Sequence, residues 1–274
     1  MTPPQSDSKA AVQSYFDQDV RGYLRAYSRT GQARGEIFRE RRGLVLSLLQ
    51  EPVGRVLDVG SGPGVFTKAL LERGGDCWVV DLSPQMILVS RDQWVGSPEA
   101  RRVHYGIADI ESLPFDDGAF DTALCIGVLQ YLAAPEVALR ELSRVTRPGG
   151  QVVISFPNRR SPLNLFHQFV LLAMRTLWRG LRRVGIKRRP DESRLTFRQD
   201  IPNRSFLLDQ IEVPSRQVGL RLDRRITHSL HFPFRIPGLA GPLRMWDRLA
   251  HRFSRAGWFE TWGREVIVRF VRDR

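Results

Sequence analysis

Lysine is almost missing from this chain. Of 42 basic side chains only Lys9, Lys68 and Lys187 are lysines, so the formal charge of +13 is carried by arginine. Cysteine is equally scarce: Cys77 and Cys125 are the only two, and both lie in apolar, strand-like runs. That excludes a disulfide framework and a cysteine-based metal site, and predicts two reduced core thiols in a cytoplasmic protein. Long hydrophobic runs are lacking as well. The best candidate, Leu163 to Trp178, is interrupted by Asn164, His167, Gln168 and Arg175, which is too short and too polar for the roughly 20 residues a bilayer needs. Met1 to Ala11 is polar, with no apolar centre, and predicts no signal peptide.

What is present is ample apolar material, 42% of 274 residues, enough for one large globular α/β domain with insertions. The charge is distributed unevenly. Residues 1–158 hold 17 Lys and Arg against 19 Asp and Glu, a net of −2, whereas residues 159–274 hold 25 against 10, a net of +15. The basic excess therefore belongs to the second part of the chain, where it invites an anionic partner.

The stretch that carries most information is Val56-Leu57-Asp58-Val59-Gly60-Ser61-Gly62-Pro63-Gly64. An apolar run predicts a buried strand, and glycines at alternate positions force a tight turn before a helix starting at about Val65. Dinucleotide sites space their glycines as G-x-G-x-x-G; here the third glycine comes one residue early and Asp58 stands before the turn. A carboxylate at the mouth of such a cradle repels a pyrophosphate and attracts a ligand carrying an ammonium and a sulfonium. The chemistry favours S-adenosylmethionine over NAD.

Two helices, Ala10 to Tyr27 and Ile37 to Leu49, are expected to precede this strand and cap the pocket. Tyr15, Phe16, Tyr23 and Tyr27 make the leader aromatic, suited to packing on the core or to forming a lid over cofactor and substrate. After the turn, a helix over Phe66 to Leu71 ends at Gly74-Gly75, and Asp76 to Asp81 is a second strand ending in an acid. Asp81 lies about 20 residues past the glycines, the separation at which a carboxylate meets a ribose diol. Ser83 and Pro84 open the next helix, with Met86 placed to lie on adenine or to fill the core. Further strands are expected at Arg102 to Ile107, Phe120 to Val128 and Val152 to Phe156. Ala108-Asp109-Ile110 follows the first of them, with Asp109 as acceptor for the adenine amine and Ile110 against the ring. The acidic pair Asp116-Asp117 precedes Gly118 and reads as a solvated turn, and no metal site is expected.

The alternating βα pattern with Val56 to Gly64, Asp81-Leu82-Ser83, Ala108-Asp109, Phe120-Asp121, Val128-Leu129-Gln130-Tyr131-Leu132 and Arg147-Pro148-Gly149-Gly150 resembles the class I S-adenosylmethionine-dependent methyltransferases, nearest to those of quinone, lipid and small-molecule methylation. The resemblance covers about residues 35–157. It implies an α/β fold with a Rossmann-like, doubly wound, seven-stranded, mostly parallel sheet, one antiparallel hairpin strand and the cofactor at the strand C-termini. Arg221 to Ile226 and Glu265 to Val271 would supply the last two strands. It also implies a cofactor set of Asp58, Gly60, Ser61, Gly62, Gly64, Asp81, Leu82, Met86, Ala108, Asp109, Ile110 and Ile126. Where quinone-type relatives often place a histidine near the fourth strand this chain has Gln130-Tyr131, and the Asn-Pro-Pro-Tyr loop of base-amine methyltransferases is absent. The expected division is an N-terminal helical cap (1–50), a cofactor-binding core (51–157), a basic amphipathic helical insertion (158–205) and a C-terminal part of the sheet (206–274) holding a second insertion (228–262), in one structural domain overall.

In the first insertion Leu163, Phe166, Val170, Ala173, Leu177, Leu181 and Val184 share a stripe at 100° per residue, opposite Arg175, Arg179, Arg182 and Arg183. Such a helix serves as a lid, as an interfacial contact on the inner face of an anionic membrane, or as both. The second insertion mixes Phe232, Phe234, Trp246, Phe253, Trp258, Phe259 and Trp262 with arginines, which allows base stacking on RNA, although no RNA module or lysine-rich tail accompanies it. Nucleic acid is not the expected partner. A hydroxyl acceptor needs a base, for which His167, His228, His231 and Tyr131 are the available groups, none singled out by its pattern. Cys125 as a nucleophile is disfavoured by its apolar setting. The expectation is an enzyme methylating a small-molecule or lipid-linked acceptor, at a hydroxyl oxygen by family tendency; an RNA methyltransferase, a NAD-dependent reductase and a non-catalytic cofactor-binding module are the rivals.

Overall fold

The computed structural model describes residues 5–20, 22–24, 33–165, 169, 172, 176, 201–228 and 263–274. It divides into two compact units where one domain is expected: residues 1–157, 201–226 and 266–274 form the first, residues 158–200 and 227–265 the second. The two insertions read from the sequence fall together in the second unit.

The first unit is built on a seven-stranded sheet in the order β3-β2-β1-β4-β5-β7-β6, the α/β architecture expected. The strands are β1 (Arg55–Val59), β2 (Asp76–Asp81), β3 (Val103–Ile107), β4 (Phe120–Ile126), β5 (Thr146–Pro157), β6 (Leu220–His228) and β7 (Glu265–Arg272). β1 pairs in parallel with both β2 and β4, so the strand order reverses beside it, and that switch point opens the crevice where open α/β sheets bind ligands. Parallel strands covered on both faces read as continuous apolar runs, and β1 shows why. Leu57 and Val59 point into one buried cluster, with Ala138, Leu139 and Leu142 of helix α5 (Pro135–Val145). Val56 points into the other, with Val45 and Leu48 of α2 (Ala33–Leu48) and Leu70 of α3 (Thr67–Glu72). Helix α1 (Gln5–Gln18) lies against α4 (Pro84–Asp92), and α6 (Asp209–Gln217) against α5.

Several boundaries differ from expectation. The helix after the glycine turn begins at Thr67 instead of Val65, and α1 begins at Gln5 instead of Ala10. Arg147-Pro148-Gly149-Gly150 has the composition of a turn but lies within β5: the pairing moves from Phe120↔Thr146 directly to Thr122↔Gln151, so these four residues bulge out of the ladder. Helix α6 has no counterpart in the sequence reading, because Pro214 sits inside it and only Ile211 and Ser215 are buried. Arg269 on β7, only 4% exposed, is tied to Asp223 of β6 and to the Leu48 carbonyl of α2, which fixes the far edge of the sheet to the layer above.

In the second unit, His228 is buried, with Nε2 2.9 Å from Glu265 Oε2. Asn158 donates through Nδ2 to the Gly263 carbonyl (2.8 Å), and Arg264 Nε donates to Asn164 Oδ1 (2.8 Å). The bulk of the predicted amphipathic helix and of the second insertion, with His167 and His231, lies outside the described residues. Among the described residues no helix is long and apolar enough to cross a membrane.

Candidate active site

The cradle is assembled from backbone. At the end of β1 the amides of Gly60 and Ser61 both donate to the Val80 carbonyl of β2 (2.8 and 3.2 Å), pulling the turn against the neighbouring strand. Asp81 completes it, accepting from the Gly62 amide on Oδ2 (2.8 Å) and from the Ser83 amide on Oδ1 (2.9 Å). Its carboxylate thus shapes the turn as well as facing outward from the end of β2. Gly60 must be glycine twice over. Its φ is +65°, and a Cβ there would fall 2.3 Å from Cγ2 of Val128.

Asp58 is the unusual group. It is 2% exposed, and its Oδ2 has no hydrogen-bond partner among the described residues. Burial, reinforced by the charge of Asp81, pushes its carboxyl up to about 7. A buried carboxylate oxygen without a donor is costly and calls for a cation or donor from outside the chain. The amino-acid end of S-adenosylmethionine supplies both an ammonium and a sulfonium, so the residues present fit that group.

The other residues expected at the cofactor converge on the same edge. Ala108 donates its amide to the Asp81 carbonyl (3.1 Å), which brings the β3 exit to the β2 exit. Ala108 and Ile110 are buried in the core cluster, Ile126 is buried at the end of β4, Met86 is 1% exposed on α4, and Leu82 is half-buried. Ser83 caps α4 by accepting from the Met86 amide (3.2 Å). The Tyr131 ring lies 5.3 Å from that of Phe16 on α1, at 77°. His228, by contrast, belongs to the other unit with Glu265. Burial raises both thiols, Cys77 to about 12 and Cys125 further, so neither is a nucleophile at neutral pH. Asp117 of the acidic turn pairs with Arg144 (2.9 Å).

Two residues that the sequence reading missed lie on α1. Lys9 Nζ is 2.5 Å from Asp109 Oδ2 and also contacts Glu111, while Asp109 Oδ1 accepts from the Glu111 amide (3.0 Å). Asp17 Oδ1 accepts from Ser83 Oγ (2.5 Å). The leader helix is therefore latched at both the β3 exit and the α4 N-terminus, and Asp109, the expected adenine acceptor, has an ammonium at one oxygen. The scarcity of lysine is the only sequence signal that could have drawn attention to Lys9. A pair of half-buried charges is worth about 0.5–1 kcal/mol. Lys9→Ala is therefore expected to speed amide hydrogen exchange in residues 8–18 by roughly two- to fivefold. Exchange in β1 should stay unchanged, and equal change in both would show that Lys9 supports the whole fold and not the latch.

Comparison with known proteins agrees with this geometry. Residues 57–154 match the family model described as a methyltransferase domain. The chain is 38% identical over 104 residues to a malonyl-[acyl-carrier protein] O-methyltransferase of Serratia marcescens, covering 38% of each chain. It is 31% identical over 106 residues to a ubiquinone biosynthesis O-methyltransferase of Xanthomonas oryzae pv. oryzae, covering 38% of this chain and 44% of the other. The match spans less than half the length of either relative. In fold, the chain is similar to the magnesium protoporphyrin IX methyltransferase of Synechocystis PCC 6803, solved with bound SAH, at a TM-score of 0.65 and 14% identity, covering 97% of this chain and all of the other. Glycine cradle, strand order and family match coincide on the same residues, and residues 57–154 match a methyltransferase domain.

Proposed function

We propose that this protein transfers a methyl group from S-adenosylmethionine to a small-molecule or lipid-like acceptor, at oxygen. The observation that carries the reading is the buried Asp58 carboxylate, with no hydrogen-bond partner at Oδ2 among the described residues, at the foot of a three-glycine turn. When bound, the cofactor supplies an electrophilic methyl group on a sulfonium. The chain's own contribution is position. Asp58 holds the cationic end, the Gly60 to Gly64 backbone leaves room for close approach, Asp81 faces the ribose hydroxyls, and Ile110 and Met86 enclose the base. Helix α1, latched by Lys9 and Asp17, closes over these groups and excludes water from the reacting atoms. Relatives named as O-methyltransferases of malonyl-[acyl-carrier protein] and of ubiquinone biosynthesis support oxygen and a small or lipid-linked acceptor. Titration calorimetry tests the donor: S-adenosylhomocysteine is expected to bind and NAD not to, and the reverse order of affinities would end the reading.

The protein is further proposed to act at an anionic membrane surface. Leu165, Phe169 and Leu172 are 55%, 68% and 58% exposed, at helical spacing, in the part of the chain that carries a net charge of +15. Co-sedimentation with vesicles containing 30% anionic phospholipid should exceed that with neutral vesicles by roughly tenfold at low salt and fall with ionic strength. Indifference to lipid charge would remove this part of the proposal.

A further inference from the structure

Aromatic rings gather against the glycine turn of the first unit. Phe16 of α1 packs edge-to-face with three others: Tyr15 at 5.1 Å, Tyr131 at 5.3 Å and Tyr23 at 6.3 Å between centroids, at interplanar angles of 86°, 77° and 78°. Two contacts put this group at the turn itself. Tyr23 Cε1 lies 3.5 Å from where a Cβ on Gly62 would stand. The short turn that carries Tyr131 starts at Val128, whose Cγ2 lies 2.3 Å from where a Cβ on Gly60 would stand. Helix α1 is held there on both sides of Phe16, through Lys9 on Asp109 and through Asp17 on Ser83.

We propose that the faces of Phe16 and Tyr131 hold the sulfonium of the methyl donor, and so let the site tell charged S-adenosylmethionine from the neutral sulfide it becomes. This rests on the methyl-transfer reading above. In the donor the sulfonium stands between the amino-acid end and the ribose, and the groups assigned to those two ends flank the turn. Asp58 lies in β1 just before Gly60, and Asp81 accepts from the Gly62 amide. The rings stand against the stretch between them.

An aromatic face attracts a cation placed over it, most strongly where water is excluded. An edge-to-face pair covers at most one of its four faces, so Phe16 and Tyr131 keep three between them after packing on each other. Phe120 and Phe156, which fill the core, are at most 1% exposed, whereas Tyr15, Phe16, Tyr23 and Tyr131 are only half-buried and have surface left to give. Burial and the neighbouring Tyr23 hold the Tyr131 hydroxyl well above the usual phenol range, so this ring is neutral and acts through its face and not through a phenolate charge. Asp58 and Asp81 attract the same cation, and changing the rings alone separates their pull from that of the faces. Once the methyl group has left, the sulfur is neutral and the rings hold it less tightly, which favours release of the product.

The test is titration calorimetry with no acceptor present, so that no turnover intervenes. Phe16→Leu, which keeps apolar volume and loses the face, should weaken S-adenosylmethionine by roughly fivefold or more and leave S-adenosylhomocysteine within about twofold. Tyr131→Leu should do the same, and it decides the matter if Phe16→Leu does not fold. Tyr131→Phe keeps the face, and the ratio of the two affinities should stay within about twofold of that of the unmodified protein. Equal weakening of both ligands in a folded leucine variant, no weakening of either, or a collapse of the ratio in Tyr131→Phe overturns the proposal. Failure of the unmodified protein to bind S-adenosylhomocysteine would instead overturn the methyl-transfer reading beneath it.

Discussion

Replacing Asp58 by asparagine is expected to abolish cofactor binding while making the empty protein more stable above neutral pH. Binding should weaken by roughly 100-fold or more, the scale of removing one partner from a desolvated charge pair. The gain in stability follows from linkage. Asp58 has its carboxyl raised from 3.8 to about 7 in the folded chain, so the fold favours the protonated form. For a raised acid, stability is fully present below the unfolded value and is lost as pH climbs from about 4 through 7. At pH 8 the empty protein carries an ionised, buried carboxylate, and the neutral amide relieves that cost, raising the melting temperature by several degrees. Cofactor binding has the opposite slope. It needs the ionised carboxylate, so the affinity for S-adenosylhomocysteine should fall about tenfold per unit as pH drops below about 7, and the asparagine variant should lose that slope. Calorimetry from pH 5.5 to 8.5, paired with thermal melts of the empty protein, checks all three statements. A variant that is both less stable at pH 8 and still binds would remove Asp58 from the site.

Gly60→Ala is the second large effect. The alanine would be held at φ +65°, which costs about 1–3 kcal/mol, and its Cβ would fall 2.3 Å from Val128 Cγ2, so Val128 or the turn must move. The turn is the softer of the two, because Val128 is anchored by Leu129, which is wholly buried. Affinity for S-adenosylhomocysteine should drop roughly 100-fold, with far-UV circular dichroism retained. Adding Val128→Ala removes the clash and leaves the backbone strain, and should restore about tenfold of the loss. Normal binding by Gly60→Ala alone would show that the cradle tolerates a displaced turn.

The features legible in the sequence are the local ones. A strand, a glycine turn and a helix are contiguous, and the continuous apolar runs of β1, β2 and β4 are each contained in a few residues. Asp58 stands just before the glycine turn, and Asp81 and Asp109 follow the second and third apolar runs; in the structure the ends of β1, β2 and β3 lie side by side. Local reasoning failed where two parts of the chain compete for one position. Arg147-Pro148-Gly149-Gly150 has turn composition, yet both sides of it pair with β4, so it becomes a bulge in a longer strand. Helix α6 contains Pro214 and buries only Ile211 and Ser215, and its formation owes more to packing against α5 than to propensity.

The sequence by itself determined the donor side of this protein, because the glycine spacing and the acids that follow each strand are written within short stretches of chain whose local geometry admits few alternatives. Only the tertiary structure decided what those groups experience. Asp58 becomes a raised acid, with no partner at Oδ2 among the described residues, through burial between β2 and β4, and Asp109 acquires Lys9 from a helix 100 residues earlier. Phe16 meets Tyr131 only because α1 and the turn after β4 fold onto the same edge. Spacing along a chain encodes backbone geometry; desolvation and charge pairing depend on distances in space, which the fold alone sets.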